Sequence, residues 1–235
     1  MTTSVIPDAT ESLVWEVLPT AAEVTHAAAA VIERSAREAL ALRGNFRIVL
    51  AGGRTPIDVY RLLPALETEW TKWDIFFGDE RCLPATDPER NSQMVFNAWL
   101  SGVSVPPHQI HAIPVELGAD VAATRYAELV ARYTPFDLVV LGVGEDGHTA
   151  SLFPGLTLNE AGWCLAVFNA PKPPAARVTL GACALRATRD VLVIAVGASK
   201  QSAIRDWRAG RALPITRVTA GLKGRVLIDA AAVGV

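Results

Sequence analysis

Apolar residues along this chain come in short unbroken runs separated by amphipathic stretches. Leu13 to Leu18 (LVWEVL), Phe46 to Ala51 (FRIVLA), Asp74 to Phe77 (DIFF), Asp137 to Leu141 (DLVVL) and Val191 to Val196 (VLVIAV) read as strands. Continuous apolar runs lack the alternation of a strand with one wet face, so most of these predict strands buried on both sides. Trp163 to Phe168, Arg177 to Leu180 and Val226 to Ile228 are weaker strand candidates. Helical patterns lie between the runs. Thr20 with Glu23 three residues on forms a capping box ahead of an alanine-rich helix to Arg43, and Gly44 is placed to end it. Further helices are expected near Pro56 to Leu63, Ser92 to Leu100, Asp120 to Tyr133 and Ser199 to Arg208. The third of these carries Val121, Tyr126, Leu129 and Val130 as an apolar stripe.

Buried strands alternating with helices predict an α/β fold with a mainly parallel sheet between helix layers. No internal repeat and no Gly/Ser-rich linker divides the chain, so one domain over residues 1–235 is expected. Ligands of open α/β sheets sit beyond the carboxyl ends of the strands. The loops after Ala51, Phe77, Leu141 and Val196 occupy that position and hold the richest polar chemistry.

Composition narrows the function. The chain has 235 residues, 51% of them hydrophobic, enough for a sizeable core. A net charge of −2 gives no basic field for nucleic acid or a membrane surface. The apolar runs fall short of a membrane span. The opening MTTSVIPDATES has no basic and no apolar signal region, and only roughly its first ten residues read as disordered. Cys82, Cys164 and Cys183 are far apart and form no CxxC pair, so a reduced, cytoplasmic protein without a metal site is expected.

The loop after Leu141 reads GVGEDGHTASLFPG, and Gly142 to Gly147 matches the dinucleotide spacing G-x-G-x-x-G. That fingerprint must open a helix and be followed by an acid about twenty positions on. Pro154 and Gly155 leave little room for a long helix, no acid stands at the ribose position, and Glu145 and Asp146 would repel a polyanion. The nucleotide reading therefore fails. His148 is a candidate general base, with Asp146 or Glu145 to fix its tautomer and glycines that let backbone approach a ligand closely. A polar turn whose histidine caps a helix accounts for the same residues equally well.

Gly52-Gly53-Arg54-Thr55-Pro56 is a glycine turn leading into a helix start, suited to one phosphate group, although a tight turn alone explains it too. It lacks the ending of a Walker loop. Arg81 and Lys200 follow two of the strands and would supply cations to the same anion. His108 and His111 lie in a Pro-rich stretch without metal-ligand spacing and read as loop or surface residues. The six tryptophans read as packing residues, and Cys82 as a rim residue of the site.

Taken in order, LAGGRTPIDVY, DIFFGDERCLPATDPERNSQMV, FDLVVLGVGEDGHTASLFPG, ARVTL and VGASK resemble the 6-phosphogluconolactonases. The resemblance runs from about residue 46 to the final strand, and GEDGHTASLFPG is its most specific piece. It implies a three-layer Rossmann-like fold similar to glucosamine-6-phosphate deaminase and ribose-5-phosphate isomerase. It implies hydrolysis of 6-phospho-D-glucono-1,5-lactone to 6-phosphogluconate, the second step of the oxidative pentose phosphate pathway, with no cofactor. By the same resemblance His148 is the general base and Asp146 its neighbour. Gly52, Gly53, Thr55, Arg81 and Lys200 hold the 6-phosphate or adjacent hydroxyls, with Asn91 in a lesser role. Arg54 and Arg90 depart from the pattern, each standing where serine is common, and Arg54 is a candidate phosphate cation.

Two other functions fit the same outline. A deaminase-type isomerase is one, but such enzymes read DGHIAFNEP where this chain has DGHTASLFP. A non-catalytic sugar-phosphate binder is the other. A small-molecule substrate is expected in every case, and a monomer or small homo-oligomer.

Overall fold

The computed structural model describes residues 13–156 and 161–234. The expectation for the first ten residues lies outside that range. In chain order the elements are β1 (Leu13–Leu18), α1 (Ala21–Arg43), β2 (Phe46–Leu50), α2 (Arg54–Tyr60), β3 (Trp73–Phe77), β4 (Asp79–Arg81) and α3 (Asn91–Ala98). Then follow β5 (Ile110–His111), α4 (Ala119–Val130), β6 (Phe136–Gly142), β7 (Cys164–Val167), β8 (Arg177–Leu180) and α5 (Ala182–Arg186). The last are β9 (Thr188–Ala195), α6 (Gln201–Arg208), α7 (Pro214–Thr219), β10 (Gly224–Asp229) and α8 (Ala230–Val233).

Seven strands form one sheet in the order β1-β10-β9-β6-β2-β3-β5. Every neighbouring pair in it is parallel. Its centre is apolar on both faces: β6 is buried from Phe136 through Leu141, as its unbroken run predicts. The chain starts at one edge, crosses to β2 in the middle, and moves outward through β3 and β5. It then returns to the other side of β2 as β6 and moves outward the opposite way. The direction of winding reverses between β2 and β6, which opens a crevice at their carboxyl ends.

Local chemistry explains the first helix. The Thr20 side chain accepts from the Glu23 N–H at 3.3 Å, and Glu23 reaches back to the Thr20 N–H at 2.9 Å. Gly44 closes the helix in the left-handed region, φ 74°. Helix α1 then covers β2, β6, β9 and β10.

The structure corrects several sequence expectations. Segments 163–168 and 177–180 are strands, but they join β4 in a separate antiparallel sheet, β4-β8-β7. Helix α2 begins at Arg54 rather than at Pro56. Val121 is 48% exposed; the buried face of α4 is Ala119, Ala122, Ala123, Tyr126 and Val130, because small alanines let the helix lie close to its neighbours. His111 is buried, not a surface residue: Nε2 lies 2.9 Å from Asp74 Oδ1 and the ring stacks on Phe76. His108 is exposed as expected. The tryptophans do pack: Trp70 lies 4.7 Å from Trp73, and Trp15 lies 4.5 Å from Trp207.

Two tyrosines finish the sheet at the crevice. The Tyr60 hydroxyl accepts from the Ala51 N–H at 3.0 Å and donates to its carbonyl at 3.1 Å. The Tyr126 hydroxyl does the same for Phe77, at 2.9 and 3.2 Å. Each satisfies backbone groups that the sheet leaves unpaired where its strands end. Burial pushes both phenols upward, so they stay neutral and keep the donor each bond needs. Tyr126→Phe leaves a buried N–H and C=O unpaired and is expected to lower unfolding free energy by about 1–3 kcal/mol in urea titration. A loss below about 0.5 kcal/mol would sink this account of how β3 ends.

Candidate active site

The loops after β2, β3, β6 and β9 converge on one cavity of about 320 Å³ at the reversal point. All expected anion-binding residues line it: Gly52, Gly53, Arg54, Thr55, Arg81, Asn91 and Lys200. His148 lines it too, while Asp146 stands behind the imidazole. Sequence reasoning assigned no role to Asp79, Phe153, Lys172 and Arg177, which also form the wall. Arg177 carried a signal, since it is a charged residue opening the buried strand RVTL. Cys82 is not part of the wall; its N–H donates to the Ala176 carbonyl at 3.1 Å.

His148 is oriented by its own loop. Its Nδ1 lies 2.5 Å from Asp146 Oδ1, and its backbone N–H donates to the same oxygen at 3.1 Å. Burial alone would raise the Asp146 carboxyl. The two hydrogen bonds from His148, with the attraction of its ring when protonated, outweigh that, so it stays below the usual carboxylate range. An ionised carboxylate only accepts, so Nδ1 carries the hydrogen and the neutral ring keeps its lone pair on Nε2. Phe153, buried, packs against the imidazole at 4.6 Å, and the Arg177 guanidinium lies 5.6 Å from the far ring centroid. Glu145, the other candidate partner, instead faces Lys172 at 3.7 Å.

Two glycines of this site seat side chains of the protein. A Cβ at position 144 would lie 2.0 Å from His148 Nδ1, so Gly144 is the seat of the imidazole. A Cβ at position 52 would lie 2.0 Å from Asn91 Oδ1, so Gly52 is the seat of that amide. At both positions a side chain of the same chain approaches the backbone closely.

The remaining polar groups tie the loops together. Asp79 Oδ1 accepts from Asn91 Nδ2 at 2.8 Å, and Asp79 Oδ2 accepts from the Ser151 hydroxyl at 2.6 Å. Ser151 is fully buried and engaged, which leaves it unsuited as a nucleophile. Arg177 binds the carbonyls of Lys172, Pro173 and Pro174 and so holds the proline-rich turn against the cavity. Asp229 accepts from the Gly197 N–H at 2.9 Å and fixes the turn that presents Lys200. Burial lowers the Lys200 ammonium from its ordinary value, with Glu145 opposing and Lys172 reinforcing the shift. Among the described residues no cluster of His, Cys, Asp or Glu is built to hold a metal ion. No helix among them is long and apolar enough to cross a membrane.

Comparison with known proteins places the chain. Residues 19–228 match the family described as glucosamine-6-phosphate isomerases/6-phosphogluconolactonase. The chain belongs to this family. The 6-phosphogluconolactonase of Streptomyces coelicolor is 37% identical over 234 residues, covering 89% of each chain. That of Mycobacterium tuberculosis is 36% identical over 203 residues, covering 80% of this chain and 82% of the relative. The crystal structure of a 6-phosphogluconolactonase from Thermotoga maritima superposes with a TM-score of 0.86 at 27% identity, covering 92% of this chain and 99% of that one. A monomeric glucosamine-6-phosphate deaminase, at 20% identity and a TM-score of 0.84, shares the family fold.

Gly144→Ala tests the seat of the imidazole. The downfield proton of the His148–Asp146 hydrogen bond should vanish from the NMR spectrum, while stability falls by no more than about 1–2 kcal/mol. An unchanged proton signal would mean that the ring does not need this glycine.

Proposed function

We propose that this protein hydrolyses 6-phospho-D-glucono-1,5-lactone to 6-phosphogluconate, with His148 as general base and the cations of the cavity as the phosphate site. The observation that carries this reading is the shared cavity. An imidazole with its Nε2 lone pair fixed by Asp146 lines the same space as the Gly52–Thr55 turn and Lys200.

In the proposed reaction Nε2 takes a proton from water as the water oxygen attacks C1. The carbonyl electrons move to oxygen and give a tetrahedral oxyanion. Collapse breaks the bond from C1 to the ring oxygen, and the imidazolium returns its proton to that oxygen. The new carboxylic acid then ionises. Asp146 holds the ring in one tautomer and favours the imidazolium between the two proton transfers. The dianionic phosphate meets Arg54, Arg81 and Lys200 with the amides of the Gly53 turn, and this remote anchor aligns C1 with the base. Asn91 stands beside that anchor. The reaction as drawn uses no cofactor.

We further infer that the chain works as one domain, as a monomer or small homo-oligomer. Its three cysteines are all free thiols, which favours the reduced cytoplasm. A deaminase reading finds less support, because Leu152-Phe153-Pro154 leaves the histidine loop without a further carboxylate.

His148→Ala is expected to cut lactonase kcat by on the order of 10²–10⁴ while KM changes little. Release of ammonia from glucosamine 6-phosphate, with no lactone hydrolysis, would overturn the assignment.

Lys200 gives a pH test. Its ammonium pKa is lowered, so the cation is lost as pH rises, and earlier than for an ordinary lysine. Affinity for 6-phosphogluconate, followed by calorimetry from neutral to alkaline pH, should therefore fall as Lys200 deprotonates. Lys200→Arg should push that fall to higher pH. The same alkaline fall in the variant would remove Lys200 from the phosphate site.

A further inference from the structure

Arg90 stands directly before Asn91 but does not reach the cavity. It is 3% exposed and lies between two carboxylates. Its Nε is 3.5 Å from Glu80 Oε2, and its NH1 meets Oε1 of the half-exposed Glu116. Its NH2 lies 3.4 Å from the Ile113 carbonyl. Glu80 is completely buried. One of its oxygens accepts from the Arg81 N–H at 2.8 Å and the Asn91 N–H at 2.7 Å, and the other from the Ser92 N–H at 2.9 Å.

Two of those three amides belong to residues of the cavity wall, so one hidden carboxylate anchors both Arg81 and Asn91. It also caps the start of α3, where Arg90 offers no side-chain cap of its own. Among the described residues, Arg90 is the cation paired with that carboxylate. Asn91 in turn lies flush on Gly52, so a shift of the α3 start is passed to the glycine turn.

We propose that Arg90 is a positioning residue for the anion-binding half of the cavity, acting through Glu80 on Asn91 and Arg81. Without the guanidinium, Glu80 is a buried carboxylate facing no cation. It then takes up a proton or moves toward water, and either response weakens the bonds that hold the two wall residues. His148 and Asp146 form no hydrogen bond to Arg90, Glu80 or Asn91, so the base is spared. The inference rests on the lactonase reading only for its kinetic readout.

The test compares Arg90→Met and Arg90→Lys, each alone and with Asn91→Ala, at a temperature where thermal scans show every variant folded. Arg90→Met is expected to raise KM for the phosphorylated lactone about tenfold, with kcat within about twofold. Arg90→Lys should recover part of that rise, because the charge returns without the planar fork. With Asn91→Ala already present, Arg90→Met should add only about threefold, since one of its two routes is gone. If Arg90→Met fails to fold, Glu116→Gln decides, with an expected rise in KM of about twofold to threefold at constant kcat. Unchanged KM in folded variants, or kcat falling together with the folded fraction, would overturn the proposal. Calorimetric affinity for inorganic phosphate gives the same comparison without turnover. A wild-type protein lacking lactonase activity would thus refute the function while Arg90 is still judged.

Discussion

Two adjacent carboxylates at the start of β4 hold this site together. Successive residues of a strand point to opposite sides, and Asp79 and Glu80 use both. Asp79 turns toward the histidine loop and binds Ser151; Glu80 turns toward α3 and binds its first amides. Both side chains are buried, which is costly for a charge unless hydrogen bonds replace the lost water. Most of the replacements come from the start of α3 and from the histidine loop, so the stabilisation is available only when these segments are assembled. A pair of ions that is expensive in isolation becomes the condition for the cavity wall to exist.

The parallel sheet explains why these loops meet at all. Strand β2 lies between β6 and β3, and the chain winds away from it in both directions. The turns after β2 and β6 therefore diverge from neighbouring strands and leave space between them. The hydroxyls of Tyr60 and Tyr126 finish the backbone bonding where β2 and β3 give way to turns. The glycine turn and Gly78 thus leave rigid strand ends, and the cavity inherits that rigidity. The small sheet β4-β8-β7 adds the far wall, with Arg177 bracing both the proline turn and Phe153.

Much of this was legible in the residues. Runs such as VLVIAV are long and apolar enough to fix both element type and burial, and Thr20 with Glu23 marks a helix start by local chemistry alone. That the Gly52–Thr55 turn and His148 border one cavity was legible because these polar residues follow strands directly. The antiparallel sheet was not, since β4, β7 and β8 are short and β4 pairs with β8 about a hundred positions away. His111 was misread because its partner, Asp74, lies on another strand and only the tertiary fold brings them together. What the residues alone do not show is that Gly144 and Gly52 also seat the side chains of His148 and Asn91, contacts made only in the folded chain. Arg90 shows the same limit in sharper form. Its place beside Asn91 suggests the cavity, yet burial turns its side chain to the other side of the wall.

Asp146 and Asp79 divide the chemistry between them. Asp146 is partly open to solvent and gives one oxygen to His148 twice, once through the ring and once through the backbone. Asp79 commits its oxygens to protein, one to Asn91 and one to Ser151, with the Arg177 guanidinium 3.9 Å away. An isomerisation must carry a proton between two carbons of the sugar, and that asks for a base with an oxygen free to leave its protein partners. Hydrolysis of a lactone asks for less: one base that removes a proton from water and returns it to the leaving oxygen. A single oriented imidazole satisfies that requirement, and the rigid bonding of Asp79 then works in its favour. It fixes the wall that, in the proposed reaction, meets the phosphate end while the proton moves at the other.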